Sequence, residues 1–125
     1  MRFLYGCIVF STLIGLASTA IAASSYTTLV GKWNYRGRDC TPCTLQIEQV
    51  KDDGEIVARY FARKSWVTGW GRASIERERL WVRITLENGS KLNLRLSKKG
   101  GELKGFFETY SGSREDVVSF KLVKN

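Results

Sequence analysis

Apolar and polar side chains alternate along most of the chain from residue 28 onward, and this alternation constrains the fold more than any other feature. A period of two residues places Leu80, Val82, Ile84 and Leu86 on one face of a strand. No stretch of ten or more residues shows the 3.6-residue period of a helix. The pattern predicts about eight short strands, over residues 28–35, 43–50, 55–63, 72–78, 80–86, 91–96, 103–110 and 117–124.

Tight turns separate these predicted strands. Asp52-Asp53-Gly54 and Asn88-Gly89 carry the residues that tolerate the positive φ angles of hairpin turns, and Lys98 to Gly101 turns the chain again. Such short turns make neighbouring strands antiparallel. A sheet with one apolar face must fold onto itself, and closure removes its exposed edges. We therefore predict an all-β fold, a single antiparallel up-and-down β-barrel, with a small β-sandwich as the alternative.

The first 22 residues have the pattern of a secretory signal peptide. Arg2 is followed by an apolar stretch over residues 3–17, and Ala20-Ile21-Ala22 forms a small-x-small cleavage site. A membrane anchor is the alternative, but the stretch is interrupted by Ser11 and Thr12 and is shorter than the roughly 20 residues that a spanning helix needs. We expect a barrel domain over residues 23–125, without a transmembrane segment, in the periplasm or the extracellular fluid.

The composition excludes several catalytic chemistries. The chain has no histidine, so Ser-His and Cys-His catalysis and His-ligated metal sites are absent. The carboxylates Glu76 and Glu78 alternate with arginines, which is typical of a salt-bridged surface. We therefore expect a protein that is not an enzyme and that holds neither a metal nor a cofactor.

Cys40-Thr41-Pro42-Cys43 allows two interpretations, a redox motif similar to that of thioredoxins or a structural disulfide between Cys40 and Cys43. A thioredoxin cysteine lies at a helix N-terminus, whereas the residues after Cys43 alternate as a strand. In an oxidising compartment such a pair is expected to be bonded. We predict the structural disulfide.

Gly31-Lys32-Trp33 resembles the first strand of the calycins, the barrel group of lipocalins and avidins, and Gly54-Glu55 with Tyr60 resembles the second hairpin of avidins. The resemblance implies a small barrel that holds a ligand in its mouth. It also implies that Trp33 plugs one end beneath a basic side chain of the last strand, Lys121 or Lys124. It does not imply biotin binding, because the segment 34–39 lacks the avidin arrangement.

Aromatic and basic residues of the middle of the chain are candidates for the ligand site. We expect a non-enzymatic binding protein that holds a small ligand at the barrel mouth, and this ligand is anionic or is carbohydrate-like or lipid-like. The segment from Trp66 to Trp70, with Gly69 and Gly71, is predicted to be a loop that contacts it. Aromatic rings supply contact area and basic side chains favour an anionic group. The predicted ligand-binding residues are Trp33, Tyr60, Arg63, Lys64, Trp66, Trp70 and Arg72.

A second set of residues suggests a different class of function. Trp81, Arg83, Lys91 and Arg95 fall on the polar faces of two adjacent predicted strands. Exposed tryptophan with arginine is a feature of protein interfaces. The alternative is therefore a protein-interaction module or enzyme inhibitor that uses these four residues on the outside of the barrel to bind an acidic protein. Nucleic acid is not an expected partner of an exported protein. The pattern also permits aromatics that only close the barrel ends, and an interior that is either filled or hollow.

Overall fold

A computed structural model describes residues 25–37, 40, 42–109 and 115–123. The predicted signal peptide lies outside the described residues. Within them, eight strands form a closed barrel in which each strand is antiparallel to its neighbours and β8 pairs with β1. The strands are β1 Gly31–Tyr35, β2 Thr44–Val50, β3 Glu55–Ala62, β4 Ser65–Glu76, β5 Arg79–Leu86, β6 Lys91–Leu96, β7 Glu102–Glu108 and β8 Glu115–Leu122. The up-and-down barrel is confirmed, and the sandwich is not formed.

The interior is built from the apolar half of each alternating pattern. On β5, Leu80, Val82, Ile84 and Leu86 are all buried, as the period of two predicts. Leu92 and Leu94 of β6 are equally inaccessible on the neighbouring strand. Burial of these side chains on one face is the main stabilising contribution of the sheet.

One end of the barrel, the closed end, is covered by the chain that precedes β1. Residues 25–27 form a helical turn, and Thr28 donates its hydroxyl to the Ser25 carbonyl at 2.6 Å. The predicted first strand therefore begins too early, since the chain becomes extended only at Gly31. The turn brings Tyr26 and Leu29 into the core. Among the described residues, no helix is long and apolar enough to cross a bilayer.

Strand β4 differs most from its prediction. It begins at Ser65 rather than near residue 72, so Trp66 and Trp70 belong to a strand and not to a loop. Gly69 and Gly71 suggested a loop because glycine is rare within strands. Here both face the interior, and a Cβ on Gly71 would collide with the carbonyl oxygen of Arg83. Close packing, rather than chain reversal, explains these glycines.

Two hairpins use turns that the sequence pattern did not indicate. Arg63 and Lys64 connect β3 to β4 with φ angles of 51° and 66°, and Arg77 and Glu78 connect β4 to β5 with 52° and 64°. A two-residue hairpin with both φ angles positive normally carries Asn-Gly or Asp-Gly. Long side chains in this region are strained by roughly 1–2 kcal/mol per residue. The first turn lies at the open end of the barrel, the mouth, and the second at the closed end.

Candidate functional site

A cavity of about 470 Å³ opens at the mouth of the barrel. This volume lies within the range of roughly 300–1,000 Å³ that is typical of small-molecule sites. Residues from six strands and their connections line it: Tyr35, Cys40, Tyr60, Ala62, Arg63, Ser65, Val67, Leu86, Asn88, Ser90, Phe107, Thr109, Asp116 and Val118. The barrel is therefore filled toward the closed end and hollow at the mouth.

The inner part of the cavity is aromatic. The Tyr60 ring lies 6.0 Å from the Phe107 ring and 6.3 Å from the Phe120 ring, measured between centroids. Tyr35 packs edge-on against Phe120 at 5.7 Å. Contacts of this kind hold aromatic side chains in fixed positions and stabilise the packing beyond simple area burial. The cavity thus has a preformed apolar base that could bind an apolar ligand body.

The rim of the cavity carries polar and charged groups of both signs. Arg63 reaches it from the strained turn, and Asp116 reaches it from β8, directly opposite Phe107 of β7. Asp116 is half-buried. Asn88 and Ser90 contribute from the β5–β6 connection. Such a rim can orient a ligand by an ionic contact at Arg63 and by donation of a ligand hydroxyl or amine to Asp116.

The sequence analysis missed Asp116. The predicted last strand begins at residue 117, whereas β8 begins at Glu115. Alternation extended two residues toward the N-terminus would have placed Asp116 on the same inward face as Val118 and Phe120. A carboxylate at an inward-facing strand position is the signal that could have found it.

The structure divides the predicted ligand-binding residues among three places. Tyr60 and Arg63 line the cavity, and Lys64 lies exposed beside Arg63 on the turn. Trp33 is completely inaccessible within the core. The remaining three, Trp66, Trp70 and Arg72, are exposed on β4, on the face opposite to Val67. Strand parity explains the division, because residues separated by an odd number point to opposite faces.

Trp33 is covered by the chain before β1. Its indole Nε1 donates a hydrogen bond to the Leu29 carbonyl at 2.9 Å. Lys121, which the calycin resemblance offered as the covering side chain, is exposed and lies opposite Glu102 of β7. Lys124, the other candidate, lies outside the described residues.

The outer face of β3 to β6 presents tryptophans beside guanidinium groups. The Arg59 guanidinium lies 4.8 Å from the Trp66 ring centroid. Arg83 and Arg95 each lie 5.6 Å from the Trp81 ring centroid, so two cations are within cation–π distance of this indole. We call this surface the aromatic–basic wall; it comprises Arg59, Trp66, Trp70, Arg72, Trp81, Arg83, Lys91 and Arg95.

Positive charge on this wall is only partly neutralised. Arg72 of β4 lies directly opposite Arg83 of β5, an arrangement that destabilises a sheet. Arg83 forms an ion pair with Glu76 at 3.2 Å and donates to the Ser74 hydroxyl at 3.3 Å. No carboxylate among the described residues lies within ion-pair distance of Arg72 or Arg95.

The two cysteines lie beside the mouth. Their Cα atoms are 5.5 Å apart, which is typical of disulfide-bonded pairs. Cys43 is buried immediately before β2, so a strand and not a helix follows it. The helix N-terminus that activates thioredoxin cysteines is therefore lacking at this position. Across the described part of the chain, no group of three or more acidic or cysteine side chains is arranged to hold a metal ion.

No protein-family model and no curated protein matches the chain.

Proposed function

We propose that this chain is an exported, non-enzymatic binding protein of calycin-like shape that holds a small ligand in the mouth cavity. The observation that carries the proposal is the cavity of about 470 Å³ with an aromatic base, in a barrel that is closed at its other end. Such a concave, preformed and largely apolar site with a few polar groups is the usual form of a ligand pocket.

The lining favours a ligand with two chemically distinct parts. An apolar or ring-shaped body, lipid-like or glycan-like, would pack on Tyr60, Phe107 and Val118. An anionic group would bind the Arg63 guanidinium at the rim, because arginine offers several donors in a fixed geometry. A neutral donor on the ligand would bind Asp116, whose carboxylate would repel a second anion in the cavity.

The proposal is tested with 1-anilinonaphthalene-8-sulfonate, a fluorescent probe that combines an apolar ring body with one anionic group. We expect saturable binding to the folded protein. Ala62→Trp should abolish the binding by filling the cavity, and Arg63→Ala should weaken it about tenfold by removing one charge-assisted contact. The matched control is Lys32→Ala, which removes an exposed cation on β1 and should leave the affinity unchanged.

Native mass spectrometry of protein purified from its own host gives an independent test. A retained adduct of a few hundred daltons that Ala62→Trp eliminates would support the proposal. Probe binding that persists in Ala62→Trp would contradict it, provided that the variant keeps a cooperative unfolding transition. Probe binding that Lys32→Ala weakens as much as Arg63→Ala does would also contradict it, because the attraction would then be general to the surface.

A further inference from the structure

Aromatic rings and cations lie side by side on the outer face of β3, β4 and β5. Trp66 and Trp70 are four residues apart, and Trp81 lies opposite Ser74, a further four residues along. Four residues of a strand span about 13 Å, so the indoles follow one another at a regular interval. Neighbouring strands add cations beside the row: Arg59 of β3 lies opposite Thr68, and Arg83 of β5 lies opposite Arg72. Arg59 and Arg83 form ion pairs with Glu48 and Glu76.

Two rings of this row, Trp66 and Trp70, are exposed, and Trp81 is half-buried. Trp70 is 53% exposed and Trp66 is 44% exposed, which is unusual for side chains of this size. Phe61 packs beside Trp66 at 5.1 Å between ring centroids and supports its indole. The wall therefore presents indole rings and guanidinium groups side by side.

We propose that the aromatic–basic wall binds an extended anionic polysaccharide, independently of the mouth cavity. Such a polymer repeats a ring and an acidic group along its length, which matches a surface that combines indoles with guanidinium groups. Sugar rings would pack on Trp66, Trp70 and Trp81. Carboxylate or sulfate groups would accept hydrogen bonds from Arg72 and Arg95, the two wall arginines for which the described residues offer no carboxylate.

Two other polyanions are less well matched to this surface. An acidic protein would use the cations but has no regular series of rings to pack on the indoles. A single-stranded nucleic acid repeats both rings and charges, and aromatic platforms do bind its bases. The pattern of residues 1–22 predicts export, and in an exported location polysaccharides, rather than nucleic acids, are the abundant anionic polymers.

Affinity measurements with four probes test the proposal: polygalacturonate, neutral dextran, poly-L-glutamate and single-stranded oligothymidylate. We expect polygalacturonate to bind at least about tenfold more tightly than the other three. Trp70→Ala should weaken polygalacturonate binding about tenfold, which is similar to the loss that removal of one base-stacking aromatic side chain causes in proteins that bind single-stranded nucleic acid. Arg95→Gln should weaken it as well and reduce its dependence on salt.

The matched control is Lys32→Gln, which removes an exposed cation from β1, the strand diametrically opposite β5 in the barrel. It should change the affinity for polygalacturonate by less than about twofold. Ala62→Trp, which fills the mouth, should also leave it unchanged and so separates this proposal from the first.

Equal binding of polygalacturonate and poly-L-glutamate, with no effect of Trp70→Ala, would overturn the proposal and indicate an acidic protein partner. Tighter binding of the oligothymidylate would overturn it in favour of nucleic acid. An equal loss in Lys32→Gln and Arg95→Gln would also overturn it, because binding would then depend on net charge alone. Far-ultraviolet circular dichroism establishes that each variant is folded.

Discussion

The indole Nε1 of Trp33 donates a hydrogen bond of 2.9 Å to the Leu29 carbonyl, and neither side chain is accessible to solvent. The bond joins the first strand to the turn that precedes it, and it satisfies two polar groups that water does not reach. Because a buried polar group without a partner is costly, the closed end of the barrel depends on this pair.

Trp33→Phe should destabilise the protein by about 2–4 kcal/mol, because it removes the indole donor, leaves the buried Leu29 carbonyl without that hydrogen bond and leaves unfilled volume. Urea unfolding measures the loss. Trp66→Phe on the exposed face of β4 is the matched control and should change the free energy of unfolding by less than about 1 kcal/mol. Equal effects of the two substitutions would show that the closed end does not depend on Trp33.

The two strained turns offer a paired test of structure against function. Arg63→Asn with Lys64→Gly, and Arg77→Asn with Glu78→Gly, should each stabilise the protein by about 1–2 kcal/mol, because the new residues tolerate positive φ. Only the first pair lies at the mouth, so only the first should weaken binding of the anionic probe. Thermal unfolding measures the effect on stability, and titration with the probe measures the effect on binding. A loss of probe binding in both double variants would contradict the assignment of the ligand site to the mouth.

Gly71 should not tolerate even a methyl group. Gly71→Ala places a Cβ against the Arg83 carbonyl oxygen across the β4–β5 pairing, and we expect a loss of at least about 1–3 kcal/mol. Gly100→Ala is the comparison, since no atom lies within 4 Å of its Cβ and only its φ of 75° is unfavourable. Its cost should stay near 1 kcal/mol. A milder effect at Gly71 than at Gly100 would argue against the close approach of these strands.

Glu102 should make the stability of the barrel decrease at acidic pH. The Ser119 hydroxyl donates to its carboxylate at 2.9 Å, Lys104 lies at 3.3 Å and Arg36 at 3.9 Å, and these contacts hold the pKa of Glu102 below its ordinary value. A carboxylate whose pKa is lowered by folding stabilises the protein at pH values above its unfolded-state pKa. That contribution is lost as the pH falls through its folded-state pKa.

Glu102→Gln should therefore reduce the free energy of unfolding at neutral pH, and its difference from the parent should shrink as the solution is acidified below the ordinary pKa of glutamate. Urea unfolding across that range measures the difference. Glu87→Gln, at an exposed glutamate outside the described ion pairs, is the control. A difference that remains constant with pH would show that the contacts of Glu102 do not affect its titration.

The strand pattern was largely predictable because it is a local property. The inward residues of β5 and β6 followed directly from alternation, and Gly54 and Gly89 have the positive φ angles that their turns require. The start of β4 was not predictable in this way. Gly69 and Gly71 lower the local preference for a strand, and only their packing against β5 shows why glycine is needed there.

The candidate sites depended more heavily on the tertiary structure. Sequence reasoning placed Tyr60 and Arg63 at the mouth, and the structure puts both on the cavity. Because β4 was predicted to begin near residue 72, Trp66 and Trp70 were assigned to a loop at the mouth. The strand begins at Ser65, and its alternation places both side chains on the outer wall. The clustering of Arg83 and Arg95 about Trp81 required the register between β5 and β6.

The sequence by itself therefore determined that the chain forms short antiparallel strands with one apolar face. The tertiary structure decided that the strands close into a barrel rather than a sandwich, that one end is sealed by Leu29 over Trp33, and that Arg63 and Asp116 line a cavity at the other end. The physical reason is one of range. Alternation and turn chemistry act between residues close in sequence, whereas cavities and charged surfaces arise from pairings between distant strands.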